Sequence, residues 1–360
     1  MARVMSPPVP SSAPPAPPAP AHLRRFSPVA SRVAFSLAGA WAAYLLLIAA
    51  TGWLCHRREP VPSLGNSGAN VAAIPASPDG SFRFAVLGDP EERPYVFTGL
   101  MRQAAAAGAT FAIIPGDLVD APAEADFAYF AREFDGLGEA KLPTFAAIGN
   151  HDLVENDPSL FRRWLGPEWF SFVHSRVLFL FVDNNDASND PRCVEFVRSE
   201  LAAHEGAFDR SILVMHRNTI DCVVRGRPVH AADRGEWIAE AFGETPPAAV
   251  LTAHYHGYLR ADDERTLWIS TGGAGGDLQA PGERFHMVLV DVKPDALVAE
   301  EVPLDGTVSL MGDAKHMLAV SGWRDVYGSP VRMAASIALL AALALAARWA
   351  GARARFVPPA

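Results

Sequence analysis

Cysteine is scarce. Cys55, Cys193 and Cys222 are the only three in 360 residues and no two form a CxxC pair, so thiolate-bound zinc or an iron–sulfur cluster has no support in the sequence. Any metal must be held by oxygen and nitrogen. Positive charge is also in deficit: 31 Lys and Arg face 40 Asp and Glu, a net charge of −9 with pI near 5.7. Polyanions are gripped by clustered Lys and Arg, so no nucleic-acid partner is expected. Apolar residues are not lacking. At 50% hydrophobic and 20% charged, the chain can fill one large α/β domain or two small ones, and disorder throughout is excluded.

Residues 1–32 carry a run made almost entirely of Pro, Ala and Ser, which buries no core and reads as a disordered tail. Val33–Leu54 then runs 22 residues without a charge, enough at about 1.5 Å per residue to cross a hydrocarbon layer of about 30 Å. A buried core helix of that length would keep a polar face, and no A-x-A triplet precedes a signal-peptide cleavage point. An uncleaved transmembrane helix over 33–54 is therefore expected. Met333–Ala347 is a shorter uncharged run between Arg332 and Arg348. With Pro330 opening the helix and both arginines snorkelling, it predicts a second transmembrane helix over 330–350.

Arg3, Arg24, Arg25 and Arg32 precede the first run, and Arg348, Arg353 and Arg355 close the second. The positive-inside rule then puts the tails 1–32 and 351–360 in the cytoplasm, and everything between on the extracytoplasmic or periplasmic side of the plasma membrane. In that oxidising setting Cys193 and Cys222 could pair. Residues 55–80 and 304–329 read as linkers around a domain over 81–303.

That domain follows α/β grammar, with short apolar runs ending in polar or glycine corners and separated by helical stretches. The runs are Phe82–Leu87, Phe111–Pro115, Thr144–Ile148, Val177–Val182, Ile212–Met215 and Val250–Ala253; the helical stretches are Thr98–Ala107, Glu124–Phe134, Glu195–His204 and Gly235–Phe242. After His256 come Thr266–Thr271, Phe285–Val292 and Leu297–Val302, successive strands that imply a second sheet edge.

Polar residues cluster where the runs stop, and in an open α/β sheet the crevice beyond the strand ends takes ligands. The corners are Gly88-Asp89-Pro90-Glu91, Gly116-Asp117, Gly149-Asn150-His151-Asp152, His216 and His254-Tyr255-His256. Singly, each has a plain structural reading: Asp caps helices and turns, Asn tolerates left-handed backbone, and a lone histidine is more often hydrogen-bonded structure than ligand. Five such corners in order make a mixed oxygen and nitrogen donor set suited to Mn, Fe or Zn. Arg217, beside His216, would suit a phosphate oxygen through its guanidinium fork, or else one half of a surface ion pair.

This ordered set resembles the calcineurin-like metallophosphoesterase superfamily over roughly Phe82 to Val302, most specifically at Gly116-Asp117-Leu118 and Gly149-Asn150-His151-Asp152. The resemblance implies a four-layer α-β-β-α sandwich, here flanked by an N-terminal and a C-terminal transmembrane helix. It further implies two divalent or trivalent metal ions and hydrolysis of a phosphomonoester or phosphodiester, possibly lipid-linked, by a metal-bridging hydroxide. Asp117 would bridge the ions. Asp89, the residue at position 91 and His256 would complete one site; Asn150, His216 and His254 the other. His151 would be general acid, oriented by Asp152.

Two positions depart from the family pattern: Glu91 stands where histidine is usual, and Ala253 where glycine is usual. Glu91 either ligates, directly or through water, or points to solvent and leaves one site weak. In the latter case the chain would be a catalytically weak metal-binding or interaction module held at a membrane.

Overall fold

The computed structural model describes residues 28–224, 227–233, 235–280 and 282–355. It divides into two compact units, residues 45–333 and the described residues up to Tyr44 together with those from Ala334. In chain order the elements begin with α1 (Pro28–Cys55), α2 (Gly68–Ala72), β1 (Phe82–Val86), α3 (Pro94–Ala106), β2 (Phe111–Ile114) and α4 (Glu124–Asp135). Then come β3 (Thr144–Ala146), α5 (Ser159–Leu165), β4 (Phe170–His174), β5 (Val177–Phe181), α6 (Asp190–Ala203) and β6 (Arg210–Val214). Next are β7 (Cys222–Val224), β8 (Arg227–Val229), α7 (Glu236–Phe242), β9 (Ala249–Thr252), β10 (Tyr258–Asp262) and β11 (Leu267–Thr271). Last are β12 (His286–Val292), β13 (Leu297–Pro303), α8 (Leu310–His316), α9 (Trp323–Val326) and α10 (Pro330–Arg355).

Strands such as β2 (Phe-Ala-Ile-Ile) and β5 (Val-Leu-Phe-Leu-Phe) are apolar at every position and buried along their length. That pattern suits strands covered on both faces. They build a five-stranded sheet, β13-β12-β1-β2-β3, and a six-stranded sheet, β10-β11-β9-β6-β5-β4. Phe84, Phe111, Phe145, Phe172 and Phe179 fill the space between the sheets, with Phe84 stacked on Phe111 at 5.1 Å between ring centroids. Truncating one of these buried rings to alanine would cost about 3–5 kcal/mol.

Helices α3 and α4 cover the first sheet through Phe97, Leu100, Phe127, Phe130 and Phe134, and α6 and α7 cover the second through Val197, Trp237 and Phe242. The four-layer α-β-β-α sandwich is thus present. Strands β1, β2 and β3 run parallel to one another, as do β5, β6, β9 and β11, so each set sends its carboxyl ends to one side.

Some expected boundaries are corrected. Helices α3 and α6 start earlier than Thr98 and Glu195 because Pro94 and Pro191 occupy their first turns, where the missing N–H is harmless. Residues 55–80 and 304–329 are built into the domain rather than strung between domains. Val61 and Leu64 are buried in the helix-side core, and Asn66 holds the β3 backbone by donating to Ala146 O at 2.7 Å and accepting from Ala146 N at 3.0 Å. From Leu310 to Val326 the backbone is helical, α8 and α9 being joined by a π-helical turn, Met317–Gly322, that packs Ala319 and Val320 on Tyr129. Cys193 is a buried free thiol; the side chain of Cys222, its expected partner, lies outside the described residues.

Among the described residues, two helices are long and apolar enough to cross a membrane: Ser31–Cys55, with mean hydropathy 2.0, and Pro330–Trp349, with mean hydropathy 1.8. Within the unit of terminal helices they run antiparallel, Ser31 Oγ donating to Ala347 O at 3.1 Å and Trp41 Nε1 to Ser336 O at 3.4 Å.

Candidate metal centre

The carboxyl ends of β1, β2, β3, β6 and β9 deliver Asp89, Asp117, Asn150, His216 and His254, as expected. Sharp corners turn these side chains inward. Asp89, Asp117 and His254 have φ of 53°, 50° and 68°, left-handed backbone that L residues adopt only where the surroundings enforce it.

His216 is fully buried. Its Nδ1 faces the Pro115 carbonyl at 3.0 Å, and a carbonyl only accepts, so Nδ1 carries the proton and Nε2 bears a lone pair. Close to that lone pair lie Asn150 Oδ1 at 3.0 Å, His254 Nδ1 at 3.1 Å and Asp117 Oδ2 at 3.2 Å. Four oxygen and nitrogen atoms converging in this way suit a cation.

His256 is arranged the same way, its Nδ1 facing Asp277 O at 2.9 Å while Nε2 lies 3.4 Å from Glu91 Oε1 and 3.7 Å from Asp89 Oδ2. Both Asp89 oxygens and Glu91 Oε2 are buried with no hydrogen-bond partner among the described residues. Unpaired buried carboxylate is costly unless protonated or neutralised by a cation. Burial, reinforced by Asp117 and then Glu91, pushes the Asp89 carboxyl well up; burial with Asp117 pushes Glu91 to about 9. For Asp117 burial pulls the same way, but His216 and His151 outweigh it and hold the group below its usual value. Burial, then His216, takes His254 down to about 4. The residues present fit two cations, and Glu91 points into the centre rather than to solvent.

Asp117 belongs to both halves. It groups with His216 and His254, and separately with Glu91 and His151. His151 is half-exposed, and its Nδ1 faces the Asp120 carbonyl at 2.8 Å and Glu91 Oε2 at 3.8 Å. That carbonyl accepts a hydrogen bond from Nδ1–H. Asp152 does not orient this ring: its buried oxygens accept from Leu118 N and Gly149 N, each at 2.9 Å. It ties the Asp117 corner to the Asn150 corner instead, because backbone N–H groups lie closer to it than the imidazole.

Arg217 donates its backbone N–H to Asn184 Oδ1 at 2.9 Å. Its side-chain Nε is buried without a partner, and its charge lowers the pKa of His254. Ala253 is fully buried, so the methyl that replaces the usual glycine is accommodated.

Several supporting groups are not apparent from the expected set: the carbonyls of Pro115, Asp120 and Asp277, Asn184 and the 272–276 loop. Asn184 Oδ1 also accepts from His216 N at 3.0 Å. It follows β5 as another polar strand-end corner, a signal of the kind that located the others. Gly272 passes so close to Asp89 Oδ2 and Tyr255 O that an added Cβ would collide with both. Four glycines in the five residues 272–276 carry that signal in the sequence.

None of the curated proteins compared matches the sequence significantly. Among solved structures, a purple acid phosphatase from yellow lupin (Lupinus luteus) seeds superposes with TM-score 0.51 at 13% identity, covering 70% of this chain and 54% of that one. The chain therefore spans about half the length of the lupin protein. GAP50, described as the anchor in the inner membrane complex of Plasmodium, gives TM-score 0.43 at 14% identity over 67% of this chain and 95% of that one. Yfce, a phosphoesterase from E. coli, gives 0.31 at 12% over 62% and 100%. Residues 82–297 match the family model described as calcineurin-like phosphoesterase; covering more than half of the chain and every corner of the centre just described, that match makes this protein a member of the calcineurin-like phosphoesterase family.

Proposed function

We propose that this protein hydrolyses a phosphate ester, monoester or diester, at a two-metal centre. The observation that carries the reading is the pair of buried oxygen and nitrogen clusters sharing Asp117. Asn150, His216 and His254 with Asp117 would hold one ion; Asp89, Glu91 and His256 with Asp117 the other. Mn, Fe or Zn suits this mixture of oxygen and nitrogen. When bound, such ions supply Lewis acidity toward phosphoryl oxygens and lower the pKa of a coordinated water.

The chain's own residues do the rest. Pro115 and Asp277 carbonyls fix the tautomers of His216 and His256, presenting Nε2 inward. Asp152 locks two corners together. As the imidazolium, His151 would donate Nδ1–H to the Asp120 carbonyl and give its Nε2 proton to the leaving oxygen, becoming the neutral Nδ1–H tautomer. Arg217 is available for a phosphate oxygen, making no ion pair among the described residues.

The two apolar helices favour attachment to the plasma membrane, with the centre on the extracytoplasmic or periplasmic side and a lipid-linked substrate within reach. A non-catalytic module is the weaker reading, because Glu91 is buried in the donor set and His151 has no role in such a module. The test is bound metal per chain together with manganese-dependent hydrolysis of an aryl phosphomonoester and an aryl phosphodiester, with Asp117→Asn as control. Two metals per chain and activity lost in the control are expected. A folded chain with one metal or none, hydrolysing neither ester, would establish the module instead.

A further inference from the structure

We infer that Arg324, in the helical segment that follows the sandwich, is a positioning residue for His151. The inference rests on the general-acid reading above. Nδ1 of His151 donates to the Asp120 carbonyl at 2.8 Å, and Asp120 lies on the loop between β2 and α4, which has no regular secondary structure over residues 118–123. No sheet or helix hydrogen bond fixes that carbonyl. Arg324 braces it from the side: Nη2 donates to Asp120 Oδ2 at 3.0 Å while Nη1 donates to Asp126 Oδ1 at 2.8 Å. Asp126 sits in the first turn of α4 and its side chain is only 2% exposed, so one end of the brace is rigid. The fork links the first turn of α4 to the loop that carries the histidine's acceptor.

The segment bearing Arg324 is itself pinned. Lys315 pairs with Glu133 and Tyr95 Oη donates to Asp313 at 2.7 Å. The last turns of α1, from Leu45 on, hold it from the other side: Tyr327 Oη donates to Leu45 O at 2.9 Å, and His56 Nε2 lies 2.7 Å from Ala319 O. Residues outside the family match thus complete the catalytic corner. Lysine would not replace Arg324, because an ammonium is a point charge and cannot span both carboxylates in one plane.

The experiment uses the full metal-loaded chain in detergent, with an aryl ester of good leaving group and an alkyl ester of poor one. In Arg324→Lys and Asp120→Ala, kcat on the alkyl ester is expected to fall about tenfold, and on the aryl ester less than about twofold, because only the poor leaving group needs a well-placed acid. Metal content and KM are expected to stay unchanged. Asp120→Ala removes the oxygen that Arg324 Nη2 donates to but keeps its own backbone carbonyl and the Arg324–Asp126 pair, so it carries the test if Arg324→Lys does not fold. Unchanged ratios between the two esters, or equal losses on both, would overturn the inference while leaving the phosphoesterase reading intact. Wild-type chain hydrolysing neither ester would remove that reading and the inference with it.

Discussion

His216 Nε2 lies 3.0 Å from the side-chain oxygen of Asn150, and neither group brings a proton to the contact, since the ring's Nδ1–H is donated to Pro115. Two acceptors at that separation repel unless a cation lies between them. Chelation should therefore lower the melting temperature by several degrees. Restoring manganese to about 100 times its Kd should return about 2.7 kcal/mol of stability. Asp117→Asn, which weakens both clusters, should lose most of that response; an unchanged chelator effect in this variant would count against the shared-ligand geometry.

Glu91 makes opposite predictions for metal and for stability. Its carboxyl is pushed to about 9 by burial and by Asp117. A raised carboxyl pKa favours the fold at low pH, and that benefit is lost as pH rises from the unfolded value toward 9. At pH 8 the metal-free Glu91→Gln variant should therefore be more stable than wild type, yet bind one metal rather than two and hydrolyse esters at least about 100-fold more slowly. Glu91→His should keep two metals. Metal counting by mass spectrometry beside thermal melts separates the cases, and two metals in Glu91→Gln would refute a direct ligand.

How much of this was legible beforehand follows from chemistry confined to single residues. Each strand end that carries a ligand could be read, because an apolar run followed by Asp, Asn or His is local. The acceptors that set the histidine tautomers could not, since a backbone carbonyl such as that of Asp277 has no residue-type signature. Segment 304–329 was misread for a related reason. Leu310, Met311 and Met317 are exposed, and the positions that dock it, Ala319, Val320 and Gly322, are small enough to look like linker. Asp152 matched its motif, but only packing shows that its oxygens meet N–H groups rather than the neighbouring imidazole.

His151→Asn should keep both metals, because Asp117 with Asn150, His216 and His254, and Asp117 with Asp89, Glu91 and His256, supply both donor sets without it. Its rate on an alkyl phosphate should fall about 100-fold or more and on a p-nitrophenyl ester less than about tenfold, the gap reporting proton donation. Steady-state kinetics on a series of leaving groups would show it as a steeper dependence on leaving-group pKa. Loss of a metal ion in this variant would instead make His151 a ligand, as its grouping with Glu91 and Asp117 allows.

Asp126 provides a pH signature far from the metals. Burial raises its carboxyl to about 7 although Arg324 pulls it down, with Asp120 adding to the rise, and its Oδ2 is buried without a partner. A carboxyl raised in the folded state stabilises fully below the unfolded value near 4, and the contribution is lost as pH climbs through 7. Wild type should therefore lose stability relative to Asp126→Asn between pH 4 and 7, by at most about 1.4 kcal/mol per pH unit, with little further divergence above pH 8. Asparagine keeps an oxygen for Arg324 Nη1 and carries no charge, so the variant isolates the titration from the hydrogen bond. Denaturant melts of both proteins at pH 5, 6, 7 and 8 give the comparison; parallel curves would mean that Arg324 keeps Asp126 ionised throughout.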